Sequence, residues 1–174
     1  MEKAFAMSSD STFHQAIPDL VYADPAVRAL AARVGHEIGV SDWFVVTQEQ
    51  VNLFAEATQD FQFIHVDPAR ARRDGPFGGT IAHGFLSLSL LSAMSFQVLP
   101  QIPGAIGINY GFDKVRFLTP VRVGTRVRGR FTLAALTPRT PTEFQTRYSV
   151  TVEIDAAERP ALAAEWLTMT ILKG

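Results

Sequence analysis

The sequence contains no cysteine. This absence excludes a disulfide framework, a thiolate nucleophile and a zinc site with cysteine ligands, and it fits a protein of the reducing cytoplasm. Charge of one sign is also scarce, because the formal net charge is only −1. Such a chain generates no field that would draw it onto nucleic acid or an anionic membrane. We therefore expect a cytoplasmic protein with neither nucleic acid nor membrane as a partner.

Long hydrophobic runs are missing as well. The most apolar run covers residues 85–99, which is 15 residues with four serines among them, whereas a transmembrane helix needs about 20. This run is typical of a buried helix. Residues 1–5 lack the apolar centre of a signal peptide, and no spacing typical of metal ligands occurs, so we expect no metal site.

What the sequence does contain is the hydrophobic pattern of one α+β domain, with 174 residues of which 47% are hydrophobic. Residues 1–38 are predicted to form an N-terminal extension, with a disordered start over 1–12 and a short helix that begins at Asp24-Pro25. Residues 39–174 are predicted to form the main domain. It starts with a strand over 39–46 and a helix opened by the capping box of Thr47 and Gln50.

The second half of the main domain is predicted to be one long helix followed by strands. The helix runs from about His83 to Leu99 and is apolar on nearly all sides, so other structure should wrap it. Alternating apolar residues predict strands, with a bulge near Asp113; they cover 106–117, 125–136, 144–154 and 161–172, with turns at 138–141 and 156–160. We expect a curved antiparallel sheet wrapped around one long central helix.

The chemistry is concentrated in the segment 58–67, which holds Asp60 and His65. A carboxylate near an imidazole can orient and tune it, so the pair can hold one water and move its protons. That suits the addition of water to an activated double bond, or its removal. Gly84 stands at the start of the long helix, where free backbone amides can stabilise negative charge that develops on a substrate oxygen.

These motifs resemble the MaoC-like branch of the hot-dog fold, which contains the (R)-specific enoyl-CoA hydratases. The resemblance rests on Asp60-x4-His65-x5-Ala71 and on the stretch 78–84, and the wider context is similar to the NodN-like subgroup. It implies a single hot-dog domain, a homodimer with paired sheets, no cofactor, and an acyl-CoA thioester as substrate. The implied reaction is reversible addition of water to trans-2-enoyl-CoA, in the (R) sense.

The resemblance also assigns roles to individual residues. The catalytic Asp and His of the family fall on Asp60 and His65, and the glycine of its oxyanion hole falls on Gly84. A serine thought to support the Asp falls on Ser92. Nothing in the spacing alone tells which member of the dyad is the base and which is the acid.

The sequence departs from the family pattern around the dyad. Gln59 stands where a glycine usually precedes the Asp, and Gln62-Phe63 replaces the usual Asn-Pro. Gln62 keeps an amide and is therefore a candidate supporting residue. These departures leave the preferred acyl chain undefined.

Several candidates also have purely structural interpretations. Asp67 is best explained as a helix N-cap, and His83 as a residue that caps or packs at the start of the long helix. Gly84 could simply allow tight entry to that helix, and Ser92 could simply allow close packing. One group of three arginines forms either a solvated helix face or a site for the phosphates of a CoA or carrier-protein thioester; its members are Arg70, Arg72 and Arg73.

Two other functions are compatible with the same residues. A hot-dog thioesterase would use a carboxylate to activate water against the thioester carbonyl carbon, and it would release free CoA. A non-catalytic subunit would bind the acyl thioester tightly without turnover. The combination of Asp60, His65 and Gly84 favours the hydratase.

Overall fold

The computed structural model describes residues 22–173, so the predicted disordered start lies outside the described residues. The helices are α1 Pro25–Ala31, α2 Gln48–Thr58, α3 Phe63–Val66, α4 Pro68–Asp74 and α5 Gly84–Val98. The strands are β1 Glu37–Val40, β2 Phe44–Val45, β3 Ile106–Phe117, β4 Arg126–Thr140, β5 Glu143–Ile154 and β6 Leu162–Ile171.

The six strands form one antiparallel sheet in the order β1-β4-β5-β6-β3, and β2 also pairs with β4. Alternation along β4 and β5 turns every second side chain toward α5. Phe131 and Val152 from these strands are thus fully buried together with Leu91 and Met94 of the helix. The predicted α+β class, with a long helix against an antiparallel sheet, is confirmed.

Local capping signals position the short helices as predicted. The Asp24 carboxylate accepts a hydrogen bond of 2.7 Å from the Ala26 amide and begins α1. Thr47 and Gln50 form the reciprocal capping box at the start of α2, with bonds of 3.2 and 3.1 Å. Asp67 accepts from the Arg70 amide at 2.9 Å and is the N-cap of α4. These ends depend on neighbours in the chain, which is why the sequence predicts them.

The predicted strand over 39–46 is instead two short strands. Four steps from Val40 to Phe44 lie opposite three steps on β4, which is the count of a bulge. The extra residue is accommodated by two hydrogen bonds outside the regular ladder. The Ser41 hydroxyl accepts from the Gly129 amide, and the Asp42 amide donates to the side chain of Gln97 on α5. The break therefore ties the edge of the sheet to the helix.

Two other strand predictions need correction. β4 continues through Pro138 to Thr140, so the turn covers 141–142 rather than 138–141. The proline is tolerated because β1 pairs with β4 only at 130–132, so in the described part of the chain no strand on that side needs a hydrogen bond from residue 138. The bulge near Asp113 is confirmed, and a second one occurs at Tyr110, where the register against β6 also shifts.

The long helix α5 is covered on only part of its circumference. Its inner side packs on β4, β5 and β1, whereas Phe85 and Phe96 on the outer side are 65% and 73% exposed. The expectation that other structure wraps the helix is met only in part within residues 22–173, because Phe117 of β3 meets Phe85 edge-on at 5.6 Å while Phe96 stays largely uncovered. No helix in residues 22–173 combines the length and apolarity needed to cross a membrane.

Candidate active site

Asp60 lies in the short loop that joins α2 to α3. The helix α2 is capped at its C-terminus by Gln59, which adopts a left-handed conformation with φ of 61° and donates from its side chain to the Glu56 carbonyl at 2.7 Å. This is the position where the resembling family usually has glycine. The loop turns at once, so that an Asp60 carboxylate oxygen accepts from the Gln62 amide at 3.3 Å. Gln62 thus contacts Asp60 through its backbone N–H, not through the side-chain amide that made it a candidate supporting residue, and the carboxylate stays exposed.

His65 is carried back toward Asp60 by the single turn of α3 and is only 7% exposed. Its Nδ1 lies 2.8 Å from the Ile81 carbonyl oxygen. Because a carbonyl only accepts, Nδ1 carries the proton and Nε2 keeps its lone pair. The Gln48 amide also donates to the backbone carbonyl of His65 at 2.7 Å, and Thr80 holds Gln48 at 2.6 Å. The imidazole is therefore fixed from both sides.

The surroundings of His65 keep its imidazole neutral. Burial lowers the pKa of His65 below its ordinary value of 6.5, and nearby His83 lowers it further. The hydrogen bond to Ile81 and the carboxylate of Asp60 act in the opposite direction without cancelling the shift. A neutral imidazole with a free Nε2 is the form that accepts a proton from water near pH 7.

His83 connects the dyad to the start of α5. It is 3% exposed, precedes Gly84 as the N-cap residue, and makes no side-chain cap bond. Its Nε2 lies 3.0 Å from the Asp60 carbonyl oxygen, and its ring stacks on His65 with centroids 3.9 Å apart and planes 26° apart. His83 thus packs at the helix start, as the sequence interpretation expects. The contacts of His83 with Asp60 and His65 could not be predicted from the sequence, in which only the position of His83 beside Gly84 pointed to the site.

The N-terminus of α5 supplies the candidate oxyanion site. Within the described residues no side chain caps this helix, which leaves its first amides free for a ligand oxygen. A Cβ atom placed on Gly84 would lie only 3.0 to 3.2 Å from three ring carbons of Phe117. A side chain here would therefore press on the Phe117 ring, so packing disfavours one as well as any need for a close approach of substrate.

Ser92 lies apart from the dyad within the chain. It is eight residues beyond Gly84, or about 12 Å along the helix at 1.5 Å per residue, and no hydrogen bond joins it to Asp60 in the part of the chain that is described. It lines a cavity of about 240 Å³ between the second half of α5 and the sheet. The same cavity is lined by Ser95, Tyr148 and Trp166.

The three arginines of α4 are exposed, as the solvated-face interpretation expects. Arg70 lies over the ring of Phe63 at 4.2 Å from its centroid, and Arg73 donates to Asp74 in two bonds of 2.8 and 2.9 Å. Arg72 makes no ion pair within residues 22–173. The helix follows directly after the turn that carries His65.

Three side chains of the site approach one another closely enough to raise the question of a metal. A carboxylate oxygen of Asp60 and one ring nitrogen each of His65 and His83 lie within 4.8 Å of one another. The two imidazoles are stacked, however, and each already has one nitrogen at a backbone carbonyl. Lone pairs on near-parallel rings lie in separate planes and do not converge on one ion. The arrangement suits a water and its protons better than a chelated cation.

Comparisons with known proteins identify the family of the chain. The model of the MaoC-like domain matches residues 29–154. Nodulation protein N of Rhizobium leguminosarum bv. viciae is 55% identical over 139 residues, which are 79% of this chain and 86% of that protein. The 3-hydroxyacyl-thioester dehydratase Z of Mycobacterium tuberculosis is 48% identical over 140 residues, 80% of this chain and 92% of its own.

A solved structure extends the likeness to the fold. R-hydratase PhaJ1 from Pseudomonas aeruginosa superposes with a TM-score of 0.61 at 27% identity, covering 79% of this chain and 83% of that one. The antiparallel sheet and long helix are thus the hot-dog fold. On the domain match and the two relatives together, the chain belongs to the MaoC-like dehydratase family of hydro-lyases.

Proposed function

We propose that the protein is an (R)-specific enoyl-CoA hydratase, which reversibly adds water to trans-2-enoyl-CoA and dehydrates (R)-3-hydroxyacyl-CoA. The observation that carries this proposal is the meeting of Asp60, His65 and the uncapped N-terminus of α5 at one place. A carboxylate, a neutral base and a group of free amides are the three components that this reaction needs.

The geometry suggests how the residues divide the work. The thioester oxygen binds at the first amides of α5, which stabilise the negative charge that develops as C3 is attacked. Asp60 and His65 hold the water. The Nε2 of His65 takes one proton as the water oxygen bonds to C3, and the same proton then passes to C2 as the enolate collapses. Water is thus added across the double bond without a cofactor, and dehydration follows the reverse path.

The cavity along α5 is a suitable place for the acyl chain. It begins about 12 Å from the oxyanion site along the helix and has a volume of about 240 Å³. Its wall is mixed, because apolar side chains such as Ile102 and Phe144 alternate with hydroxyls such as Ser95 and Thr168. Of the exposed guanidinium groups of α4, that of Arg72 makes no ion pair within the described residues and is available for a phosphate of CoA, whereas Arg70 and Arg73 already pair with Asp74.

We further propose that the protein works as a cytoplasmic homodimer. Among the strands of residues 22–173, none pairs with the outer edge of β3, which exposes Ile106, Tyr110 and Phe112. Phe85 and Phe96 of α5 are exposed as well. A long exposed apolar edge invites pairing with another strand, and a second copy of the chain would cover it. Size-exclusion chromatography with light scattering should give twice the chain mass, and a Tyr110→Lys variant should shift it toward the monomer.

The test of the activity is hydration of crotonyl-CoA and of a longer enoyl-CoA, followed by loss of the conjugated enoyl absorbance. His65→Gln should reduce kcat by about 10²-fold or more, the size expected for loss of a general acid or base. Asp60→Asn should reduce it by about 10²-fold as well, because the water loses the carboxylate that positions it. Asp67→Asn is the matched control, because it neutralises a nearby carboxylate that only caps α4, and asparagine caps equally well.

Other results would point to the two competing functions. Release of free CoA in place of enoyl absorbance loss would indicate a thioesterase. Tight thioester binding by folded protein, with no turnover of either chain length, would indicate a binding subunit and would reject the hydratase.

A further inference from the structure

We propose that His83 is a positioning residue whose imidazole fixes the Asp60 loop and the ring of His65 relative to the oxyanion amides of α5. The inference deepens the proposed function, since the effect on turnover presupposes that the protein hydrates an enoyl thioester. The residue would touch neither substrate nor water, and would act through Asp60 and His65.

The first argument is the hydrogen bond from the His83 ring to the loop. A carbonyl only accepts, so Nε2 of His83 carries a proton and donates to the Asp60 carbonyl at 3.0 Å. Among the described residues, this is the sole hydrogen bond that reaches residues 60–62 from outside the segment 48–66. The loop itself is exposed, so little packing would hold the Asp60 carboxylate in place without it.

The second argument is the contact between the two imidazoles. The His83 ring lies against His65 at 3.9 Å on one side and near Phe54 at 5.1 Å. Because His65 is anchored to Ile81 at Nδ1, the stack fixes the remaining freedom, which is the tilt of the ring that aims Nε2. His83 also precedes Gly84 directly, so any shift of the helix N-terminus moves the loop and the ring with it.

The third argument is the tautomer that this environment favours. The Nδ1 of His83 is buried and has no hydrogen-bond partner within the described residues. An N–H at that position would be a buried unsatisfied donor, which is costly. The tautomer with its N–H at Nε2, which donates to the Asp60 carbonyl, therefore fits the site better.

Two substitutions separate the hydrogen bond from the stack. His83→Phe keeps a flat ring against His65 but leaves the Asp60 carbonyl without its donor. His83→Gln keeps an N–H donor near the position of Nε2 but removes the ring. We expect kcat for crotonyl-CoA to fall about 10²-fold in the phenylalanine variant, the loss typical of a misplacement of about 1 Å, with KM changed less than about threefold. The glutamine variant should recover about tenfold of that loss.

A background without the carboxylate shows whether the effect passes through Asp60. In Asp60→Asn protein, adding His83→Phe should lower the residual rate by less than about twofold, since misplacing an inactive group costs little. A full, independent loss in this background would overturn the proposal, and so would wild-type kcat in His83→Phe. Circular dichroism and thermal unfolding of each variant establish that the rates refer to folded protein.

A spectroscopic measurement tests the geometry without any turnover. Nitrogen-15 NMR of histidine-labelled protein should show His83 protonated at Nε2 and His65 at Nδ1, and His83→Phe should shift the amide signals of residues 60–62. If the wild type turns over no enoyl thioester while these signals appear as expected, the hydratase proposal fails and the positioning geometry stands. Protonation of His83 at Nδ1 would overturn the positioning role itself.

Discussion

Replacing Gly84 with alanine tests why the candidate oxyanion position has no side chain. The new Cβ would lie 3.0, 3.1 and 3.2 Å from Cδ1, Cε1 and Cγ of Phe117, inside the 3.5–4.0 Å at which carbon atoms pack best. Overpacking of this kind costs about 1–3 kcal/mol. Phe117 is 48% exposed and can move, so we expect about 1 kcal/mol, or roughly 2–4 °C in Tm for a chain of this size.

The same substitution should also affect turnover. If the helix start moves instead of the phenylalanine, the oxyanion amides shift, and a displacement near 1 Å lowers kcat by about 10²-fold. We would measure thermal unfolding and crotonyl-CoA hydration for Gly84→Ala, Phe117→Ala and the double variant. Removal of the ring should relieve the clash, so the two changes should show a favourable coupling of about 1 kcal/mol.

The outcome distinguishes the two explanations of the glycine. Turnover that returns in the double variant would mean that Gly84 is small because Phe117 packs on it. Stability that returns without turnover would mean that the substrate itself needs the space. An alanine that destabilises the Phe117→Ala protein as much as the wild type would refute the packing argument altogether.

Three further predictions follow from the site and its cavity. Because burial lowers the pKa of His65, kcat/KM should fall in acid with an apparent pKa below 6.5. Between the folded pKa and 6.5 the unfolded chain binds more protons than the folded one, so the free energy of unfolding should fall as the pH drops through that window. His65→Gln should flatten this fall when the free energy of unfolding is measured by urea titration at each pH. At the left-handed Gln59, glycine should be more stable than alanine by about 1 kcal/mol in the same titrations, because glycine alone has no Cβ penalty there; the reverse order would show that the loop relaxes. Ser95→Leu should fill the cavity and lower kcat/KM for a long enoyl-CoA more than for crotonyl-CoA, whereas Ser149→Leu on the exposed face of β5 should not discriminate between them.

Much of the fold could be predicted from the sequence because its signals are local. The capping box at Thr47, the N-caps at Asp24 and Asp67, and the alternation of β5 each depend on residues a few positions apart. The structure has all of them where they were expected. The irregularities of the strands could not be predicted in this way, because the break after Val40 depends on the pairing register with β4 and the bulge at Tyr110 on the register with β6.

The candidate site likewise has features that the sequence predicts and features that only the structure gives. The sequence by itself determined the family, the α+β class and the five-residue separation of Asp60 and His65, because these are properties of order along the chain. Only the tertiary structure decided that His83 contacts both Asp60 and His65, and that the Gln48 side chain binds the backbone carbonyl of His65. It also decided that Ser92, about 12 Å from Gly84 along α5, lines a cavity. Such contacts arise where separately formed helices and loops pack against one another, and no spacing within a single segment specifies them.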